Sequence, residues 1–353
     1  MSGSSLDGLD IAHVQLEEVR GQWSFSILHA DCVAYNEQLT NQLKNAANMS
    51  VADFLKLDTS YGHYLGTQVK EFIDKFDLEH QVHFIVSHGH TVFHDPLSYT
   101  TCQIGKGASI AAVTELPVIN DLRAIDVALG GQGAPIVPIG DKLLFGEYDC
   151  LLNIGGIANI TFQNTATGSL AFDVCPANQV LNSLALRAGK NMDEGGAMAA
   201  AGSVIPALLQ LQNDNVYYSQ QAPKSLSNEA AMHIATALIN SNDHSTNDLL
   251  HTACVHIATM VANAVKQYGA DKENMTMLVT GGGAFNTFLV HMLQQQLNSM
   301  QVNVVVPDAD VVHYKEAVIM ALIGVLRWRE DVNVLSSVTD ASKDSVGGCL
   351  WFS

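Results

Sequence analysis

Leu151-Leu152-Asn153-Ile154-Gly155-Gly156-Ile157-Ala158-Asn159-Ile160-Thr161 enters a double glycine as one apolar run and leaves it as another. Two short apolar runs punctuated by glycine predict strand, tight turn, strand. Without side chains at Gly155 and Gly156, the backbone N–H groups of the turn can approach another group closely. Such amides form a concave anion site whose usual guest is phosphate. An isolated glycine pair fits an ordinary hairpin equally well. The chain, however, repeats the arrangement.

Near the start, Gly3-Ser4-Ser5-Leu6-Asp7-Gly8-Leu9-Asp10 runs into the alternating stretch Ile11–Leu16, a glycine-serine turn feeding a strand with two carboxylates beside it. Late in the chain, Met275–Thr280 runs as a strand into Gly281-Gly282-Gly283 and then into a helix ending near Leu297. Neither Gly-x-x-x-x-Gly-Lys-Ser/Thr nor Gly-x-Gly-x-x-Gly is present, so no P-loop and no dinucleotide fingerprint competes with this reading.

Between these turns the pattern alternates strand and helix. Trp23–Leu28 predicts a strand, and residues 36–76 predict helix interrupted at Gly62 and Gly66. His83–Ser87 predicts a short buried strand ending in His88-Gly89-His90, at a sheet edge where α/β proteins keep their ligands. The Gly- and Pro-rich segment Asp126–Pro138 is the expected crossing between lobes. Ser169–Asp173 predicts a strand ending in an acid, with a helix following from Pro176 to about Arg187. Helices are expected over Asn228–Asn240, Ser245–Tyr268 and Lys315–Trp328, and a strand over Val302–Val306. This alternation argues for α/β lobes with mixed sheets.

The 353 residues are too many for one small core and predict two lobes. We expect residues 1–125, completed by 330–353, to form one lobe and 126–329 the other. Hydrophobic residues at 48% and charged residues at 15% describe a well-buried globular chain. A formal net charge of −18 argues against a nucleic-acid partner, which needs clustered Lys and Arg. It is compatible with a nucleotide held by backbone amides and a metal ion. No uninterrupted apolar run is long enough to cross a bilayer. The six cysteines are scattered with no Cys-x-x-Cys pair, a pattern that fits reduced thiols in a cytoplasm.

Two glycine hairpins followed by a strand-to-helix glycine turn resemble the ATP grip of the actin, sugar-kinase and heat-shock-chaperone superfamily. That resemblance implies a two-lobed, ribonuclease H-like α/β fold with an interlobe cleft. Its hairpins would hold the phosphates and its third turn would lie along the adenosine. Local motifs narrow the likeness: Ser87-His-Gly-His-Thr-Val92, Gln103-Ile-Gly105, Asp121-Leu-Arg123, Gly130-Gly-Gln-Gly-Ala-Pro135, Asn153–Thr161, Pro223-Lys-Ser225, Thr280-Gly-Gly-Gly-Ala284 and Ser337-Val-Thr339. Together they resemble the anhydro-N-acetylmuramic acid kinase family of murein recycling, from the first residue almost to the last.

The resemblance implies that ATP, with Mg2+, phosphorylates the 6-oxygen of the anhydro sugar while water opens the 1,6-anhydro bridge. It implies cofactor contacts at Gly3, Ser4, Ser5, Leu6, Asp7, Gly8, Leu9, Asp10, Asn153, Gly155, Gly156, Gly281, Gly282 and Gly283. Asp173 becomes the general base, although position alone also allows it to cap the helix after Pro176. Asp7 and Asp10 either position magnesium or hydrogen-bond their own turn. Arg123 would grip the sugar's carboxylate or a hydroxyl; a surface ion pair with Asp126 is its other reading. His88 and Glu316 would contact sugar, Glu316 as the acid preceding the late helix. His88, His90 and His94 read as strand-end polar contacts in preference to a zinc site. The expected setting is cytoplasmic, and a homodimer is left open. A kinase for a different amino sugar is one alternative. The other is a nucleotide-binding scaffold without turnover, because the family pattern carries a strand before the position of Met1. The family also shows glycines where this chain has Cys175 and Ala177, which predicts crowding there.

Overall fold

The computed structural model describes residues 1–353 except Ser4, Ser5, Asp7, Ala166, Thr167, Ala270, Asp271 and Glu273, and only the backbone of Asn164, Thr165 and Gly168. The strands described in the first part of the chain are β1 (Gly8–Val19), β2 (Gln22–Ala34), β3 (Ile85–Val86), β4 (His90–Asp95), β5 (Thr100–Ile104) and β6 (Val118–Asn120). Those of the remainder are β7 (Cys150–Ile154), β8 (Ile157–Thr165), β9 (Gly168–Pro176), β10 (Met275–Thr280), β11 (Val302–Val305) and β12 (Cys349–Trp351). The backbone clusters into two units, Met1–Phe145 with Tyr314–Ser353, and Gly146–His313.

The second unit is built on one sheet in the order β11-β10-β7-β8-β9. β7, β8 and β9 form an antiparallel meander, while β10 runs parallel to β7 and β11 parallel to β10. This is the ribonuclease H-like order that the glycine turns implied. Cys150, Leu152, Ile154, Ala158 and Ile160 have no measurable exposure, so the centre of the sheet is covered by protein. The helix Thr246–Tyr268 supplies cover with Leu250, Cys254, Ile257 and Val261 in the same core cluster, at the spacing of one helix face. Each such side chain contributes about 1.5–3 kcal/mol on burial.

The first unit carries a two-stranded ribbon, β1-β2, a three-stranded sheet, β12-β6-β3, and the hairpin β4-β5. Its long helix, Val51–Lys75, runs unbroken through Gly62 and Gly66, against the interruption expected from the sequence. The glycines serve packing instead. A Cβ on Gly62 would stand 2.7 Å from the Lys106 carbonyl oxygen, and one on Gly66 would stand 2.8 Å from Val113 Cβ. These positions let the helix Gly107–Thr114 approach closely, which repays the helix propensity lost.

The division between units falls elsewhere than the composition suggested: 126–145 and 314–329 cluster with the first unit. Tertiary anchors explain this. Asp126 is wholly buried and accepts a hydrogen bond from Thr339 Oγ, 2.7 Å. Lys315 pairs with Asp141 at 2.8 Å, both nearly out of solvent. A Cβ on Gly140 would meet Ile319 at 2.5 Å, so the helix Pro138–Leu144 lies tight against the helix Ala309–Trp328. That late helix begins at Ala309, earlier than the expected Lys315, and the boundary falls inside it. The glycine-rich segment 126–138 is therefore internal to the first unit and is not the crossing.

Candidate active site

In the second unit, β7 and β8 pair in the register Ile154↔Ala158, and Gly155 and Gly156 form the turn. The carbonyls of this turn point in one direction. Ile154 O accepts from Asn178 Nδ2 at 2.9 Å, Gly155 O from Asn178 N at 3.0 Å, and Gly156 O from Ala177 N at 2.9 Å. The N–H of a trans peptide opposes its carbonyl. The amides of Gly155 and Gly156 therefore point away from the helix Asn178–Leu186, and neither has an acceptor among the described residues. Neither glycine has a left-handed φ. A Cβ on Gly155 would meet nothing nearer than 3.5 Å, and one on Gly156 nothing nearer than 3.8 Å. Backbone strain and internal packing thus leave these two glycines unexplained, and the space beside their amides is open to an external group.

The third glycine turn closes against the same strand. Gly281 has φ +78°, and a Cβ there would lie 2.6 Å from Asn153 Oδ1. A Cβ on Gly283 would collide with Ile154 Cγ2. Gly281 and Gly283 are accordingly required by the fold itself. Asn286 then caps the helix Thr287–Leu297, accepting from Leu289 N at 2.9 Å. Asn153, Gly155, Gly156 and Gly281–Gly283 are thereby gathered at one end of the β7–β10 pair.

Asp173 stands on β9 opposite Asn159 of β8. Its Oδ2 accepts from Leu226 N at 2.8 Å, while its backbone N–H donates to Lys224 O at 3.0 Å and its carbonyl accepts from Tyr217 OH at 2.6 Å. The other carboxylate oxygen has no partner among the described residues. The helix that follows takes Ala177 as its N-cap with no side-chain cap, so Asp173 is not a helix cap. Burial raises the Asp173 carboxyl above the usual range, and the Leu226 amide partly opposes that rise. Cys175 and Ala177 are fully buried, and Ala177 adopts φ −136°. Cys175 belongs to the core of the unit, so the expected crowding by its side chain does not arise.

In the first unit, Met1 and Asp10 exchange backbone hydrogen bonds at 2.6 and 2.9 Å, and Ser2 bridges Leu9. Residues Met1–Gly3 therefore form the incoming arm of a hairpin whose outgoing strand is β1. Leu6 and Leu9 place their side chains in the core of this unit, leaving only their backbones to serve a ligand. A Cβ on Gly8 would meet Val33 O at 2.8 Å. Ser4, Ser5 and Asp7 lie outside the described residues, so the cofactor and metal roles expected there have no geometry to set beside them. The Asp10 carboxylate is near enough to Glu316 to raise its pKa, and a magnesium ion needs only one or two carboxylates besides phosphate and water.

His88, Arg123 and Glu316 come together in this unit. Arg123 Nε donates to His88 Nε2 at 2.9 Å, and Arg123 Nη1 to Gly133 O at 2.5 Å. His88 Nε2 must then be an acceptor, which assigns the ring proton to Nδ1, facing Gly89 O at 3.1 Å. Burial, followed by the Arg123 charge, pushes the imidazole pKa down to about 3. Burial also lowers the Arg123 pKa, and Glu316 opposes it. Arg123 is thus oriented by two neutral acceptors and has no ion-paired carboxylate among the described residues. The alternative of an ion pair with Asp126 is excluded: Asp126 accepts from Gly133 N at 2.7 Å and from Thr339. Glu316 lies within the helix Ala309–Trp328 and not before it. Although the residue as a whole is exposed, burial of its carboxyl raises the pKa, with the Lys315 charge opposing. His90 approaches Ser2 Oγ at 3.5 Å and His94 bonds Thr101 at 2.9 Å, so these histidines make polar contacts.

The residues that orient the site groups were not legible as such. Tyr217, Leu226 and Gly133 act through a hydroxyl on a backbone oxygen, a backbone amide and a backbone carbonyl. Pro223-Lys-Ser225 marked the neighbourhood of Leu226, but nothing in the composition marked Tyr217.

A profile of the anhydro-N-acetylmuramic acid kinase family matches residues 1–353. The anhydro-N-acetylmuramic acid kinase of Francisella tularensis subsp. novicida (strain U112) is 30% identical over 371 residues, spanning 100% of this chain and 97% of that relative. The one from Vibrio vulnificus (strain YJ016) is 32% identical over 365 residues, spanning 99% and 96%. Among solved structures, the activator of the 2-hydroxyisocaproyl-CoA dehydratase from Clostridium difficile with bound ADPNP aligns at a TM-score of 0.40 and 14% identity, over 84% of this chain and 89% of that one. The protein is an α/β enzyme of the kinase class. Within that class, the chain belongs to the anhydro-N-acetylmuramic acid kinase family. Among the described residues no helix is long and apolar enough to cross a membrane.

Proposed function

We propose that the protein uses ATP to phosphorylate 1,6-anhydro-N-acetylmuramic acid while water opens the anhydro ring, giving N-acetylmuramic acid 6-phosphate and ADP. Water adds to the anomeric carbon as the bond from that carbon to the 6-oxygen breaks. The freed 6-oxygen takes the γ-phosphoryl group, and the water proton passes to Asp173. The Gly155 and Gly156 amides receive phosphate oxygens, with the Gly3–Gly8 turn as a second clamp and Gly281–Gly283 beside the adenosine. Magnesium, when bound, neutralises phosphate charge, and Asp10 is the described residue suited to hold it, with Asp7 as its expected companion. Arg123, held by His88 and Gly133, offers its remaining N–H donors to the lactyl carboxylate. Glu316 accepts from a sugar hydroxyl.

The observation that carries this reading is the Asp173 carboxylate, with one oxygen anchored by Leu226 N and the other unpartnered. A general base needs that combination of fixed orientation and a lone pair free to take a proton. Its raised pKa makes it a stronger base than a free aspartate. Murein recycling in a cytoplasm is the setting in which this substrate would be consumed. The test is a coupled ADP-release assay on a panel of anhydro and ordinary amino sugars. Turnover of N-acetylglucosamine or a plain hexose, with none of the anhydro sugar, would assign a different substrate. Nucleotide binding with no turnover on any member would leave a scaffold.

A further inference from the structure

β9 is the outer strand of its sheet among the described residues, so its far edge is free of a neighbouring strand. Asp173 uses that edge. Its N–H donates to Lys224 O and its carbonyl accepts from Tyr217 OH, and in an antiparallel strand both main-chain groups of one residue point to the same side. With Leu226 N on the carboxylate, three bonds tie Asp173 to the segment 217–226. How steadily the acid is held therefore depends on what holds that segment.

Tyr217 and Lys224 hold each other. Lys224 Nζ donates to Tyr217 O at 3.1 Å and stands over the Tyr217 ring, 4.6 Å from its centroid. Phe172, the residue before Asp173, presents a second ring 6.0 Å from the same ammonium. Both distances lie within the range at which a cation is attracted to a ring face. Among the described residues no carboxylate pairs with Lys224, although the chain carries 35 acidic residues against 17 lysines and arginines. Burial lowers the pKa of this ammonium, and Cys175 opposes that shift. A desolvated cation without an ion pair is thus held by two rings and a carbonyl, on the two residues that flank the Asp173 main chain.

The neighbouring residue fixes the turn to the core. Tyr218 OH bonds His256 Nε2 at 2.9 Å, and His256 Nδ1 bonds Asn213 Oδ1 at 2.6 Å. The amide oxygen of Asn213 only accepts, so Nδ1 carries the ring proton and Nε2 accepts from the Tyr218 hydroxyl. His256 lies on the helix Thr246–Tyr268, whose apolar face covers the sheet. Tyr218 therefore anchors one end of the segment, and Lys224 draws the other end onto Tyr217.

We propose that Lys224 is a positioning residue for Asp173: it clamps Tyr217 beside Phe172, and Tyr217 holds the Asp173 main chain so that one carboxylate oxygen stays on Leu226 N while the other is free to take the water proton. This rests on the reading of Asp173 as the base. Without the Lys224 charge, the loop from 217 to 224 loses its closing contact, and the acid loses the fixed direction that proton transfer needs.

Three variants test this in the coupled ADP-release assay with the anhydro sugar. Lys224→Met keeps an unbranched apolar stem without charge or donor, Lys224→Arg keeps both, and Tyr217→Phe keeps the ring but loses the hydroxyl. Lys224→Met and Tyr217→Phe should each lower kcat by about tenfold, with KM for ATP and for the sugar within about twofold of the parent. Lys224→Arg should recover most of the loss. The double variant should lose little more than the worse single one, because both act through one link. The acid limb of the kcat profile should also move to higher pH in the two impaired variants, since the Leu226 amide that opposes the burial-raised Asp173 pKa is then less firmly placed. A fall in kcat with the acid limb unmoved would mark a loss of folded protein and overturn the proposal. So would an unchanged kcat in Lys224→Met, or a raised KM for the sugar at full kcat, which would make Lys224 a substrate contact. Asp173→Asn separates the two readings. Retained turnover there removes the base and the proposal together, whereas its collapse beside a silent Lys224→Met removes the proposal alone.

Discussion

Titration of His88 tests whether the Arg123 anchor is assembled as described. In the fold its imidazole is 5% exposed and its pKa is pushed down to about 3 by burial and by Arg123, against an unfolded value of 6.5. The unfolded chain therefore takes up a proton below pH 6.5 while the folded chain does not. Stability from this group is fully present above pH 6.5 and is lost as pH falls towards 3, at about 1.4 kcal/mol per pH unit. Between pH 6.5 and 4.5 the loss is about 2.5 kcal/mol, a large share of a typical domain's stability. The variant His88→Gln keeps an acceptor for Arg123 and a donor for Gly89 O but cannot titrate. Urea unfolding at pH 6.5, 5.5 and 4.5, followed by tryptophan fluorescence, isolates the effect, because Trp23, Trp328 and Trp351 all belong to the first unit. His90, also lowered by burial, is present in both proteins and cancels. The parent should lose about 1.4 kcal/mol more than the variant for each pH unit below 6.5. Parallel pH dependences would refute the buried, neutral His88.

Other consequences can be measured separately. Gly155→Ala and Gly156→Ala should leave stability within about 1 kcal/mol, because a Cβ has room, yet weaken ATP binding about tenfold or more by equilibrium dialysis. Gly283→Ala should do the reverse and destabilise by about 1–3 kcal/mol, since its Cβ collides with Ile154. Asp173→Asn should lower turnover by about 10²–10⁴ while ATP affinity holds; weakened ATP binding with intact chemistry would sink the base assignment. In the parent, the acid limb of the kcat profile should lie above the pH expected of a free aspartate, because burial raises this carboxyl. Asp126→Ala strands Gly133 N–H and Thr339 O–H and should cost about 2–5 kcal/mol in chemical denaturation.

Much of the second unit was legible because its signals are local. Apolar runs on either side of Gly155–Gly156 predict β7 and β8, and Met275–Thr280 predicts β10 residue for residue, each within a few positions of chain. Gly62 and Gly66 misled because a glycine in a helix has two physical meanings, a break or a close contact, and only the neighbour at Lys106 or Val113 decides between them. The late helix was expected only from Lys315, although Asp308, a favoured cap residue, stands immediately before its start at Ala309.

The sequence by itself determined the ordered glycine turns, the strand-helix alternation and the family to which the chain belongs, since each rests on residue identity at fixed short spacing. Only the tertiary structure decided what those residues do to one another. Arg123 meets His88 across 35 positions and Leu226 meets Asp173 across 53, through bonds in which a backbone atom or a neutral ring is the partner. Such partners have no compositional signature, because every residue carries a backbone amide and carbonyl. The boundary at Phe145 and Gly146 has the same origin: it follows where Asp126, Asp141 and Gly140 find their contacts, and those lie some two hundred residues down the chain.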